Sequence, residues 1–338
     1  MGGTDDRDRP FEDVTLDSAF VKGAARRELT AAERLAAAQR SKDADERLAW
    51  QRRAERWRGR PHRRLFRWMK RNGKSALVLV SLAALGWALA SRSTEQAPRW
   101  VSGRPEVRHV GATMDRPTPR PPESKVPLLQ PDAAPTPSSS YRFIATQPDS
   151  SAPVTYDPCR TIAVVVNART AGPVGERLLD EALHIITKAS GFAFSVEGHS
   201  AERPSLSRDP FRPDLYGDRW SPVLVAWSDP AESPQLLGSV AGSAGSTALT
   251  TGRGPTAYLT GTVILDGPQV VEIAEREGVA AARGVILHEL AHLVGLAHVN
   301  DSTQLMHTEG SSGVTGFGDG DRSGLAALHA AARCLEEL

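Results

Sequence analysis

Residues 288–298 read His-Glu-Leu-Ala-His-Leu-Val-Gly-Leu-Ala-His, and few backbone paths let all three imidazoles of that run meet. On an α-helix, residues four apart share one face a single turn apart, so His288 and His292 can aim ring nitrogens at a common point. Glu289 then lies about 100° round the helix from His288. His298, six residues past His292, cannot reach that point from a straight continuation. The chain has to turn, and Gly295 is the residue type that tolerates the positive φ of a helix-ending turn. The run therefore predicts a helix that stops at Gly295 and a return segment that brings His298 back.

Three imidazoles make three of the four ligands of a tetrahedral zinc and leave the fourth position to water, which separates a catalytic site from a closed structural one. A carboxylate beside the first ligand can take the proton of that water and hand it to a leaving amine. His288, His292 and His298 are thus candidate ligands of one Zn2+, with Glu289 as general base. A half-buried helix carrying two hydrogen-bonded histidines is the plain alternative, but it leaves the rest of the string unexplained. His62, His109, His184, His199, His307 and His329 are read as surface or ordinary structural residues, with His307 near enough to the site to be a candidate for substrate contact.

The pattern His-Glu-x-x-His-x-x-Gly-x-x-His resembles that of the metzincin clan of zinc metallopeptidases. Leu305-Met306-His307 follows at a short interval, where metzincins carry the Met-turn. Residues 318–328 resemble the start of the C-terminal helix of matrixin-like domains, and the likeness in segment order covers roughly the last 180 residues. The resemblance implies an α+β zincin domain with a twisted mixed sheet, an active-site helix and a C-terminal helix. It implies His288, His292 and His298 as ligands, Glu289 as base, Met306 as the Met-turn residue, and a protein or peptide substrate. The strand nearest the motif helix would be the sheet edge on which an extended peptide pairs. Some metzincins have a tyrosine two residues after the Met-turn methionine; here that position is Thr308. A catalytically inactive metzincin-like module that binds peptides outside the cytoplasm is the alternative, against which the intact Glu289 argues.

The chain changes character along its length, which a net charge of +1 conceals. Residues 1–74 are Arg-rich and polar, a cytoplasmic tail that is partly helical or disordered, with a partner the sequence does not name. The adjoining apolar run gives its basic charge a membrane explanation, so no nucleic acid is expected. That run, residues 75–91, contains no charge and is flanked by Lys74 and Arg92. As a helix it would span about 25 Å, close to a bilayer core once flanking cations snorkel. The excess of Arg and Lys before it predicts a single-pass anchor with its N-terminus in the cytoplasm and the following domain outside. Ala88-Leu89-Ala90 has the small-x-small form of a signal cleavage site, so release after Ala90 stays open. Residues 92–140, rich in Pro and Ser, read as a disordered linker that could serve as a spacer or an inhibitory propeptide. The Ala- and Arg-rich composition suits a bacterial source.

Folded character is expected over residues 141–338. Strands are predicted over 161–167, 193–196, 223–227 and 258–266, with a helix over 174–189 and a Gly/Ser-rich irregular segment over 238–254. The motif helix should begin near Val279 and bury one side through Ala280, Ala281, Val285, Ile286, Leu290 and Leu293. Cys159 and Cys334 bracket the domain, and a disulfide between them suits an oxidising location. Two free buried thiols are the alternative. In a third reading Cys159, in a run faintly similar to the matrixin switch, blocks the metal as a thiolate. Asp319 and Asp321 could hold calcium, or simply cap the last helix.

Overall fold

A β-branched run opens the sheet. In a computed structural model, which describes residues 100–111, 114–132, 136–250, 255–310 and 313–338, the first central strand is β3 (Ile162–Asn167). Alternation along it sends Val164 and Val166 into the main core and Val165 to the opposite face. Helix α1 (Gly172–Ser190) follows, with a proline in its first turn and Gly191 at φ 73° closing it. Its Leu178, Leu179, Leu183 and Ile186 are buried. β4 (Phe194–His199) returns parallel to β3, and β5 (Val223–Ser228), buried throughout, pairs with β3 on its other side. Between them, a short helix α2 (Pro213–Tyr216) lies in a segment tied by Glu202, which accepts from Arg208, Arg212 and Tyr216 at 2.6–2.9 Å.

β6 (Val240–Thr250) and β7 (Thr256–Asp266) form an antiparallel pair, and β7 joins the parallel part of the sheet beside β5. Asp266 then caps α3 (Gly267–Arg276) by accepting from Gln269 N–H at 3.0 Å. After Gly278 comes α4 (Val279–Val294), and α5 (Asp319–Ala331) completes the fold. Two further strands, β1 (Val101–Ser102) and β2 (Glu106–Val110), precede these elements and pair parallel with β6. The result is a mixed α+β architecture with a seven-stranded mixed sheet, in the order β1-β6-β7-β5-β3-β4 with β2 also on β6.

Three differences from the sequence expectations bear on the site. The first is that residues 238–254 are not irregular: most of them form the eleven-residue strand β6. Glycine and serine have poor strand propensity, yet here pairing on both sides compensates and the small side chains let neighbours approach. A Cβ on Gly242 would come within 2.6 Å of the Glu289 side chain, and one on Gly245 within 2.8 Å of the Glu106 carbonyl.

The second is that the described part of residues 92–140 is not a free linker. Trp100 is in the core at 2% exposure, and β1 and β2 are sheet strands. Further on, Glu123 accepts from Thr161 N–H and hydroxyl at 2.9 and 2.8 Å, and Asp132 N–H donates to Lys188 O at 2.8 Å. Such a segment has no apolar period because it attaches through backbone and polar side-chain bonds. The folded unit thus starts well before residue 141.

The third concerns α4, which is buried on all sides from Ala281 to Val294 except at Arg283, rather than along one face. Sheet strands β6 and β7 and helices α1 and α3 all pack on it. The tail of residues 1–74 and the anchor of residues 75–91 lie outside the described residues. Among the described residues, no helix is long and apolar enough to cross a membrane.

Cys159 and Cys334 are joined in a disulfide, with Cα atoms 5.2 Å apart. That pairing removes Cys159 as a thiolate for the metal. Asp157 supports the junction, accepting from Cys159 N–H at 2.8 Å and Leu335 N–H at 3.1 Å. The bridge closes a sequence separation of 175 residues, so it restricts the unfolded chain strongly. Replacing both cysteines by serine is expected to lower stability by about 2–5 kcal/mol, read as a lower urea midpoint without reductant; an unchanged midpoint would mean that the bridge contributes nothing.

Candidate metal centre

Helix α4 brings His288 and His292 one turn apart on the same face, as their spacing requires. The helix stops at Gly295, whose φ of 123° is closed to ordinary L-residues, and its N–H donates to the carbonyls of Ala291 and His292 at 3.1 and 3.0 Å. A side chain would also be crowded there, because a Cβ would meet Leu328, Tyr258 and the Val154 carbonyl at 3.3–3.5 Å. The turn sends the chain back so that His298 Nε2 lies 3.1 Å from His288 Nε2 and 3.0 Å from His292 Nε2.

The orientation of two of these rings is fixed from behind. His288 Nδ1 is 2.7 Å from the Leu305 carbonyl, and His292 Nδ1 is 2.6 Å from the Leu296 carbonyl. A carbonyl only accepts, so each Nδ1 carries the proton and each Nε2 presents a lone pair. Burial, then the charge of His298, pulls His288 down to about 3. Burial followed by its two histidine neighbours holds His292 well below its ordinary value, and burial followed by His307 brings His298 to about 4. All three imidazoles are therefore neutral near pH 7. His288 and His292 thus turn Nε2 lone pairs toward His298 Nε2 at 3.1 and 3.0 Å, and a cation among the three nitrogens can be coordinated by all of them. The edge of a tetrahedral zinc–imidazole site is about 3.3 Å. The three-histidine group fits a metal ion.

Glu289, on the adjoining face of the helix, is 0% exposed and neither carboxylate oxygen has a hydrogen-bond partner. Burial pushes its pKa up to about 8. The neighbouring Ser102 hydroxyl tempers this rise, although its own hydrogen bond goes to the Gly103 carbonyl at 3.0 Å. A buried carboxyl without a partner costs stability. Glu289 stands on the same helix as two of the three inward-facing imidazoles.

The loop after His298 is braced by α5. Asp321 accepts from Leu305 N–H at 2.7 Å, Gly318 N–H at 3.0 Å and Met306 N–H at 3.3 Å. Both of its oxygens accept from backbone donors, which makes it a helix cap and loop tie. Through Leu305, whose carbonyl holds His288, Asp321 positions a ligand ring. That role was not readable in the sequence, where Asp321 signalled a cap or a calcium ligand. Met306 is buried at 1% in the main core, and its carbonyl accepts from Val299 N–H at 3.0 Å. Thr308 is exposed and His307 pairs with the Glu309 carbonyl at 3.0 Å. Trp100 and Ser102, which also border the centre, gave no sequence signal because they come from a segment almost 190 positions away. Compared with known proteins, the chain matches no family model and no curated sequence.

Substituting alanine at His288, His292 or His298 is expected to weaken zinc uptake at least tenfold in equilibrium dialysis; full uptake by all three variants would remove the metal centre. In the metal-free protein, folded Glu289 keeps a proton up to about pH 8 that the unfolded chain releases near pH 4.5. Wild-type stability relative to Glu289→Gln should therefore fall as pH rises from 5 to 8, by up to about 1.4 kcal/mol per unit. A flat difference across that range in urea titrations would show that the carboxyl is not held protonated.

Proposed function

We propose that this chain is a zinc-dependent endopeptidase of metzincin, matrixin-like type. The observation that carries the proposal is the convergence of three neutral imidazole Nε2 atoms next to a buried carboxyl that has no partner. His288, His292 and His298 would hold the zinc, and Met306 stands at the Met-turn position. When bound, zinc supplies Lewis acidity, lowering the pKa of its water to near 7 and polarising the scissile carbonyl.

The chain's own groups do the rest. Glu289 accepts the proton of the attacking water on a carboxylate oxygen and delivers it to the leaving amide nitrogen, so one group acts as base and then as acid. Its raised proton affinity suits the second role. The carbonyls of Leu305 and Leu296 keep His288 and His292 in the tautomer that leaves Nε2 free, and they make both rings better donors. With Thr308 exposed where some relatives of this type have a tyrosine, no side-chain phenol assists the developing oxyanion from that position. An extended peptide would be gripped by backbone pairing along β6, with side-chain pockets adding selectivity. The Cys159–Cys334 bridge supports a location outside the cytoplasm, and residues 75–91 would provide the anchor.

The test is to measure zinc content and cleavage of a mixed peptide library, by mass spectrometry, for the wild-type chain and Glu289→Gln. One zinc per chain in both proteins is expected, with cleavage only in the wild type and a rate loss of at least 100-fold in the variant. Cleavage that survives in Glu289→Gln, or a wild type that takes up no zinc, would sink the proposal. Peptide capture without any cleavage would favour the binding module.

A further inference from the structure

Strand β5 starts late, and its late start leaves a gap in the sheet. Val223, its first residue, stands opposite Val164, past the start of β3 at Ile162. Its pairing with β7 begins only at Leu224 and Thr262, whereas β7 runs from Thr256. The residues before Val223 leave the line of the strand: Trp220 bridges Phe211, and Ser221 N–H donates to the Pro210 carbonyl at 2.8 Å. β3 and β7 each lie one strand spacing from β5, so roughly 9.5 Å separates them, the room of one extended chain. At the outer end Thr155 pairs with Ala257, and the chain from there crosses over to β3. What remains is a pocket of about 470 Å³, bordered by Thr161 and Ala163 on the β3 side, Leu259 on the β7 side and Ser221 at the inner end. Leu259 is the extra residue of a bulge, since Tyr258 pairs with Ala248 and Thr260 with Thr247.

Two residues on the border of this pocket carry buried donors without an acceptor. Among the described residues, neither the Tyr258 hydroxyl nor Trp220 Nε1–H has a hydrogen-bond partner. Tyr258 is 2% exposed, and burial raises its pKa, so the hydroxyl keeps its proton. Its neighbour Tyr156, with ring centroids 5.4 Å apart, does have a partner, the Ser246 hydroxyl at 3.0 Å. The charged groups around the pocket are matched as well. Arg219 holds Glu197 through two bonds at 2.6 and 2.9 Å, Arg160 holds Asp157 at 3.0 Å, and Arg120 Nη2 donates to the Asp218 carbonyl at 2.7 Å. Glu123 is taken by Thr161. An ionic ligand would have to break one of these pairs, whereas an uncharged ligand with carbonyl oxygens would satisfy the two spare donors and leave the pairs intact.

We propose that the gap between β3 and β7 is a second peptide-binding site, which takes one extended, uncharged peptide segment along the line that β5 vacates. Carbonyls of the segment accept from Trp220 Nε1–H and the Tyr258 hydroxyl, and the strands on either side offer it main-chain bonds. The β3 side of the pocket runs from Thr161 to Ala163, about 10 Å of extended chain at 3.3 Å per residue, so three to four residues fill it. The site is separate from the three histidines, and binding there does not depend on the peptidase reading. Together with that reading, it holds a substrate at a point away from the bond being cut.

The probe is a pooled library of tetrapeptides of uncharged residues, acetylated and amidated at their ends. It is incubated with the full chain carrying Glu289→Gln, so that no peptide is consumed, and retained peptides are identified by mass spectrometry and titrated singly. Saturable binding is expected, weakened at least tenfold by Trp220→Phe and by Tyr258→Phe, each of which removes one donor and keeps an aromatic ring. The urea midpoints of these two variants should equal or exceed that of the parent, because each loses a buried donor without a partner, so weaker binding would not reflect unfolding. A folded His292→Ala variant should bind as the parent does, and hydrogen exchange should slow over residues 161–163 and 258–260 when peptide is added. The proposal is overturned if no peptide is retained at millimolar concentration, or if binding is untouched by both phenylalanine variants. Binding that disappears in folded His292→Ala overturns it too, since the peptide would then sit at the three histidines. Absence of zinc uptake or of cleavage in the wild type would overturn the peptidase reading and leave this site standing.

Discussion

Because α4 is buried from Ala281 to Val294 except at Arg283, almost every polar group it carries near the site must find its partner inside the protein. Inside a core an unmatched donor costs about 1–3 kcal/mol, and the structure meets this demand at His288 and His292 with two backbone carbonyls. Those two bonds set which nitrogen of each ring is free, and the loop that supplies one carbonyl is in turn fixed by Asp321. The precision of the centre therefore derives from the backbone around it. Glu289 is the exception among them: its carboxyl is buried with no hydrogen bond, at a cost in stability.

Strand β6 shows the same economy from the other direction. Its glycines and serines contribute little propensity, but their size lets Glu289 sit against Gly242 and the Glu106 carbonyl against Gly245. A bulkier strand would push α4 and the sheet apart. The small residues that let the helix approach also leave an accessible backbone edge, and unpaired edges attract other strands. In this chain the outer edge of β6 is paired with β1 and β2.

Much of the interior could be read from residue patterns. The runs at 161–167, 223–227 and 258–266 became β3, β5 and β7, and the apolar spacing from Leu178 to Ile186 became the buried face of α1. These signals survive because burial of branched side chains acts locally and repeats with the period of the element. β6 was missed since its stability comes from two neighbours rather than from its own residues. The segment from Trp100 onward was missed because its ties, the core contacts of Trp100 and the pairing of β1 and β2 with β6, are all to distant positions. Helix α3 was missed too; its cap, Asp266, stands at the end of a strand whose apolar run hides the change of period.

The sequence by itself determined the donor set: three histidines, a glutamate and a glycine whose spacing admits a helix, a stop and a return. It determined this because helix periodicity and the left-handed freedom of glycine are local properties that no partner needs to supply. Only the tertiary structure decided which nitrogen each of His288 and His292 presents, that Asp321 ties the loop behind them, that Cys159 is joined to Cys334, and that Trp100 lies against His288. Each of these depends on groups far apart in the chain being brought within a few ångströms, and the strength of a hydrogen bond or a ring contact is set by that final distance and not by the order of residues.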